Sequence, residues 1–514
     1  MKDNCKKTLI KNSFFVSLIV CLGKIFGFLK QAVIAWAFGA NAGTDIYFAA
    51  DSYIAMIGQI QSSSISPCVL TEYISLNENK KRTELENLIK LCFIIFPLIS
   101  ILLILINILL SGNISSVLGI SYSFEQRKEL KKFIIYLCPV ILFTSFAGVS
   151  NAILDANGRF IPSRLLSLFF STSIIVSLII FQKKFGINSL LLGFLFGYGV
   201  HTIYVTILTK KYFTLGRINT KVYFFQKLIK NIIPIVIGNS IVDIGHLVDK
   251  IVASSLVTGS VSYLYYGQVI SSDLVCSVVI TTIGSVLFPS LTKMVTNDCD
   301  GKKIAERIST ILNKLIALLV GIISLYIVEG TDLVKLFFQR GEFSSVATSN
   351  VSDIAICYAI GFVFIAIREI LTKTYYAYQD TKTPMIIGVL GVIINVILSL
   401  ILSKIIGIAG VALATSVSIA IISVIMCITI KKHISVFPLC KEFFVALVKC
   451  LIAGIVIVFA GFFLSNIFEN YNYIIRMIII SVSMIILYGI ILKILKHEIL
   501  LEIKHILKKK DNRF

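Results

Sequence analysis

Residues 384–432 read PMIIGVLGVIINVILSLILSKIIGIAGVALATSVSIAIISVIMCITIKK, and residues 162–211 read PSRLLSLFFSTSIIVSLIIFQKKFGINSLLLGFLFGYGVHTIYVTILTKK. Each stretch opens on a proline, turns at a glycine (Gly407 or Gly186) and closes on a lysine pair. Between those marks lie apolar runs of roughly 20 residues, the length that crosses a ~30 Å hydrocarbon core as a helix. Each stretch therefore reads as two membrane spans. A β-barrel would instead show short alternating segments separated by turns.

The two stretches answer each other at a nearly fixed offset. Pro162 and Pro384 stand 222 residues apart, while Gly186 and Gly407, and the lysine pairs 210–211 and 431–432, stand 221 apart. VLTEY at 69–73 answers SLTKM at 290–294, again at 221. Working outward, apolar segments recur near 9–38, 45–76, 86–111, 130–154, 161–181, 187–209, 226–256, 262–291, 308–328, 351–377, 384–403, 407–430, 443–466 and 474–495. The expected fold is an all-α polytopic membrane protein of about fourteen spans. Six spans per repeat give two lobes of the same orientation, an arrangement that suits alternating access around a shared site. The expected division is an N-lobe at 1–221, a C-lobe at 222–440, two extra spans at 441–496 and a basic tail at 497–514.

Composition agrees with a membrane protein. The 514 residues are 57% hydrophobic and only 15% charged, against about a quarter charged in soluble domains. The formal charge of +21 fits cytoplasmic loops rich in lysine and arginine, and no stacked aromatic and basic motif points to nucleic acid. Lys6, Lys7, Lys80, Lys81, Arg82, Lys210, Lys211, Lys302, Lys303, Lys431 and Lys432 fall on one set of connections, with the basic cluster Arg127 to Lys132 the exception on the other. The positive-inside rule then places both termini in the cytoplasm of a plasma-membrane protein. The eleven cysteines show no metal-ligand spacing, so no metal is expected.

Charges inside spans are costly and mark cavities or partners. The first span carries Lys24 and Lys30 within GKIFGFLKQ, projecting within about 120° of each other; the functional reading is a cationic pair that meets a pyrophosphate. For Lys30 the alternative is snorkelling to the interface. Asp45 and Asp51 follow in the second span, where Asp45 reads equally as a helix cap or a gating residue. The seventh span places Asp243, His246, Asp249 and Lys250 at helical spacing, a candidate coupling face. In the tenth, the neighbours Arg368 and Glu369 each need another partner. No Walker A, HExxH or GxSxG motif is present, so a transporter without cofactor is expected rather than an enzyme.

The stretch GKIFGFLKQAVIAWAFGANAGTDIYFAA resembles the opening of the MurJ (MviN) lipid II flippases, of the MOP exporter superfamily. The likeness continues at VASSLVTGSVSYLYYGQVI (252–270), VLFPSLTK (286–293), LVKLFFQRGEFS (333–344) and YQDTKTP (378–384). It implies a two-lobed fold with a cationic central cavity and a hydrophobic groove made with the two extra spans. It also implies flipping of a polyprenyl-diphosphate-linked peptidoglycan precursor for the cell wall, with membrane lipid and cell-wall synthesis enzymes as partners. Lys24 and Lys30 stand where the family has arginines, and Asp45 at its acidic residue. Gln268 takes a cationic position, and IGQIQSSSIS (57–66) replaces a segment rich in arginine and glutamate. Those replacements suit a divergent member, or a flippase for O-antigen, capsule or teichuronic-type oligosaccharide. A MATE-type cation antiporter is the weaker alternative.

Overall fold

The computed structural model describes residues 2–212, 236, 240, 243–297, 300–434, 436, 439 and 441–496. The basic tail at 497–514 and much of the expected 226–256 span lie outside the described residues. Among the described residues the protein is helical, with ten helices long and apolar enough to cross a membrane, or up to eleven if the bent pair Ser345–Ile360 and Phe362–Ala377 is one span. The remaining expected spans depart from that test for physical reasons. The Ala42–Glu78 helix carries the polar run Gln59–Ser64, and the 262–291 segment is interrupted by π-helical turns at Val269–Asp273 and Cys276–Ile280.

The chain divides into two compact units, Met1–Ser262 and Tyr263–Phe514. Lipid tails are as apolar as leucine, so helices in a membrane associate by close packing and hydrogen bonds. In the first unit small residues permit that approach. A Cβ on Gly193 or Gly197 would stand 2.7 Å from the Cα of Ile174 or Phe170, so the Asn188–Thr209 and Leu166–Phe185 helices touch nearly backbone to backbone. A buried cluster with Ile65, Val69, Leu88, Ile89, Val149 and Ile153 joins three further helices. In the second unit, Gly454 and Gly461 of Lys441–Ile467 press against Val320 and Val328 of Gly301–Phe338. Large apolar side chains such as Leu109, Ile179 and Phe459 stay exposed, as a lipid-facing surface requires.

The repeat is visible in the backbone. Gly186 and Gly407 both take positive φ, 53° and 62°, at the ends of corresponding helices. Gly158 and its counterpart Gln379 do the same at 72° and 59°, although a glutamine pays a steric cost there. The turn around Gln379 is braced. Asp380 accepts from the Thr383 amide (3.0 Å) and hydroxyl (2.7 Å) and pairs with His433 at 2.9 Å, whose ring stacks on Tyr378. Burial pushes the Asp380 carboxyl up, but the Thr383 amide, His433 and the Thr383 hydroxyl outweigh it and hold it well below the usual carboxylate range.

Candidate functional site

The first helix separates the two lysines. Gly23 packs on Ser167 and Gly27 on Ser171, which turns that face of the helix toward Leu166–Phe185. Lys24, one residue past Gly23, is exposed. Lys30 is 6% exposed, with its ammonium 4.4 Å from the centre of the Phe170 ring. Phe170 is in turn held edge-on by Phe194 and Tyr198. Lys30 is thus packed among aromatics inside the first unit, and Lys24 is the accessible cation of the pair.

Asp45 has a different job from capping its own helix. The Ala42–Glu78 helix is capped by Asn41, whose side chain accepts from the Gly43 and Thr44 amides, while the Thr44 hydroxyl bonds back to the Asn41 amide. That leaves Asp45 free to reach a distant turn. It accepts from the Gly259 amide (2.6 Å), the Ser262 amide (2.8 Å) and the Ser262 hydroxyl (2.6 Å). Ser260 opens the next helix, Ser260–Gln268, so Asp45 supplies a negative charge and acceptors where helix-start amides lack partners. At 2% exposure the carboxylate is enclosed and both of its oxygens accept hydrogen bonds.

Behind it, Asp51, Asp249 and Lys250 are buried. Lys250 donates to the Ser52 hydroxyl, which joins the 243–254 helical stretch to the second span two turns below Asp45. Asp243 is half-buried and His246 exposed, so the expected polar face grades from a closed end at 249–250 to an accessible one at 243–246. In the second unit, Gln268 is half-buried and stands at the junction where the α-helix gives way to the π-helical turn. Such turns often accompany functional positions. Glu369 pairs with Lys373 one turn on, at 3.3 Å, and Arg368 is half-buried beside it.

Two groups of residues escaped the sequence reading. Where the second span lacks charge, neutral groups form a ladder: Tyr53 donates to Asn107, Gln61 to Ser100, and Thr144 to Gln61. The 57–66 segment is therefore tied into helix packing. The second group is Glu329, Asp332 and Arg476. Arg476 pairs with Asp332, linking Gly301–Phe338 to Tyr473–Ile494 through charges inside two apolar helices. Intramembrane charge alone was the available signal, but the expected ninth span ended at 328, one residue short of Glu329.

The candidate residues therefore include the exposed Lys24, an enclosed carboxylate that fastens a helix start, and several buried charges in helices. A protein-family model described as lipid II flippase MurJ matches residues 34–483. The chain is similar to the probable lipid II flippase MurJ of Vibrio cholerae serotype O1, 26% identical over 435 residues and covering 80% of this chain and 81% of that one. It is also similar to the lipid II flippase MurJ of Thermosipho africanus, 24% identical over 416 residues with 80% and 83% covered. A solved structure of a lipid II flippase MurJ in an inward closed conformation superposes with a TM-score of 0.78 at 24% identity, covering 95% of this chain and 100% of that one. An inward-facing MATE transporter of the MOP superfamily follows at 0.67 and 12% identity, with 80% and 94% covered. These superpositions speak for the fold, and the family model, which spans most of the chain, carries the assignment. The chain belongs to the lipid II flippase MurJ family.

Proposed function

We propose that this protein flips lipid II from the cytoplasmic to the outer leaflet of the plasma membrane by alternating access, supplying cell-wall synthesis. The observation that carries this reading is the family match across residues 34–483. The exposed Lys24 adds a physical reason: an ammonium is a point charge suited to a diphosphate, though without the bidentate fork of an arginine. Lys30, buried on Phe170, contributes positive potential from behind, and Gln268 offers hydrogen bonds without charge. Asp45 serves as a gate latch, because releasing Gly259 and Ser262 would free the start of the next helix. Asp51, Asp243, Asp249, Lys250, Arg368 and Glu369 form the charge set through which gating or coupling acts. Both termini lie in the cytoplasm on this reading.

A second reading, flipping of another polyprenyl-linked oligosaccharide by the same architecture, is favoured by one observation. Gln61, in the 57–66 segment where charged residues are replaced, bonds instead to the neutral Ser100 and Thr144 of neighbouring helices. The deciding experiment is complementation of a strain depleted of its own lipid II flippase. Wild type is expected to rescue growth, Lys24→Arg to retain rescue, and Lys24→Ala to lose it at equal expression. Failure of a well-expressed wild type would favour the second reading; rescue by Lys24→Ala would remove the phosphate-clamp role.

A further inference from the structure

The charge cluster between Gly301–Phe338 and Tyr473–Ile494 is unused by the reading above. Glu329 and Asp332 are three residues apart and so share a helix face, and both are buried, at 5% and 8% exposure. Arg476 donates through Nε (3.1 Å) and Nη2 to one Asp332 oxygen. Glu329 Oε2, in contrast, is buried with no hydrogen-bond partner. Leu325 and Val328, in the turn just before Glu329, pack against an apolar cluster of Ile457, Ile480 and Met484.

Among the described residues, none of the charged groups nearby gives Glu329 Oε2 a hydrogen bond. On its own helix, Lys335 lies one turn beyond Asp332 with its ammonium over the Tyr473 ring at 4.5 Å. From Tyr473–Ile494 comes Arg476, with Lys493 at the far end of that helix. On Lys441–Ile467, Gly461 is level with Val328, which leaves Lys441, Glu442 and Lys449 more than two turns away along the helix. On Ser345–Ile360, Asp353 is exposed, while its neighbour Ser352 meets Thr331 at 3.1 Å. On Phe362–Ala377, the charged residues Arg368, Glu369 and Lys373 lie beyond Phe362, which packs on Tyr326. Two carboxylates thus face one guanidinium, and with both ionised the cluster holds a net negative charge in an apolar setting. A buried carboxylate in that position neutralises rather than stay charged.

We propose that Glu329 is a proton-binding site that links the last span to the ninth. In the loaded state a proton from solvent sits on Oε2 as the carboxylate becomes a carboxylic acid, and Asp332 keeps Arg476. In the unloaded state Glu329 and Asp332 compete for the same guanidinium, which alters how Tyr473–Ile494 is held. The ligand is a proton because Arg476 already occupies the place a metal cation would take. The inference goes beyond the flippase reading and does not depend on which glycan is carried.

The test is infrared difference spectroscopy of the full-length protein in detergent, titrated from neutral to alkaline pH. Wild type is expected to show the C=O band of a protonated carboxyl at neutral pH. Glu329→Gln, neutral and of the same shape, should fold and lose that band, while Glu442→Gln, at an exposed position, should keep it. Asp332→Asn hands Arg476 to Glu329, so the band should be lost there too. Absence of the band in wild type, or its survival in folded Glu329→Gln, would overturn the proposal; its survival in Asp332→Asn would overturn the shared guanidinium. Loss of transport in any variant bears on the flippase reading alone, since the band is read without substrate.

Discussion

Asp45 and Glu329 are both carboxylates within long helices, and both are nearly inaccessible, at 2% and 5% exposure. Asp45 takes three hydrogen bonds, two of them from backbone amides at a helix start. Glu329 has a buried oxygen with none. The difference comes from where each carboxylate meets its neighbours. A helix start presents amides that have no intrahelical acceptor, whereas Glu329 lies far from the N-terminal end of Gly301–Phe338 and meets Tyr473–Ile494 through Arg476, which already pairs with Asp332. Burial is therefore the same in both, and the supply of donors separates a latch from a site that takes up a proton.

The largest expected effect falls on Asp45. Asp45→Ala strips the acceptor from the Gly259 and Ser262 donors and should cost about 3 kcal/mol or more, since bonds to a charged group are each worth ~1.5–3 kcal/mol. Asp45→Asn keeps one acceptor oxygen and should cost roughly half as much. Thermal unfolding in detergent measures both; an unchanged midpoint for Asp45→Ala would erase the contrast with Glu329. Next comes the lysine pair. Lys30→Met keeps the apolar stem but removes a desolvated cation from Phe170, a loss of about 2 kcal/mol, while exposed Lys24→Met should stay within about 0.5 kcal/mol. Equal losses would mean that the two lysines share one environment.

An effect smaller than that at Lys30 concerns the turn at Asp380. Its carboxyl is held below its ordinary value, so the folded state releases that proton more readily than the unfolded chain. The resulting stability is complete above the ordinary aspartate pKa of about 4 and is lost as pH falls through the lower folded value. Asp380→Asn should therefore be less stable than wild type by about 1 kcal/mol at neutral pH, with the gap closing in strong acid. A gap that widened on acidification would reverse the sign.

Much of this architecture was legible before any coordinates. Gly186 and Gly407 marked the repeat by their spacing, and both take positive φ. The role of Asp45 was only half legible. Thr-Asp suits a cap, but Asn41 had taken that position, and the true donors lie more than 200 residues away, a distance that local pattern does not bridge. The missing charges at 57–66 were evident, yet the ladder to Ser100, Asn107 and Thr144 depends on how three helices rotate against one another. Glu329 was hidden by hydropathy itself. A hydropathy reading closes an apolar run at its first carboxylate, whereas the helix continues to Phe338, with Asp332 paired to Arg476.

The most direct test of the central claim is reconstitution of the purified protein into liposomes carrying lipid II in the inner leaflet, with appearance of its headgroup outside followed by an impermeant probe. The account predicts transfer by wild type and at least a tenfold slower transfer by folded Lys24→Ala. No transfer of lipid II by a folded, correctly inserted wild type would contradict it.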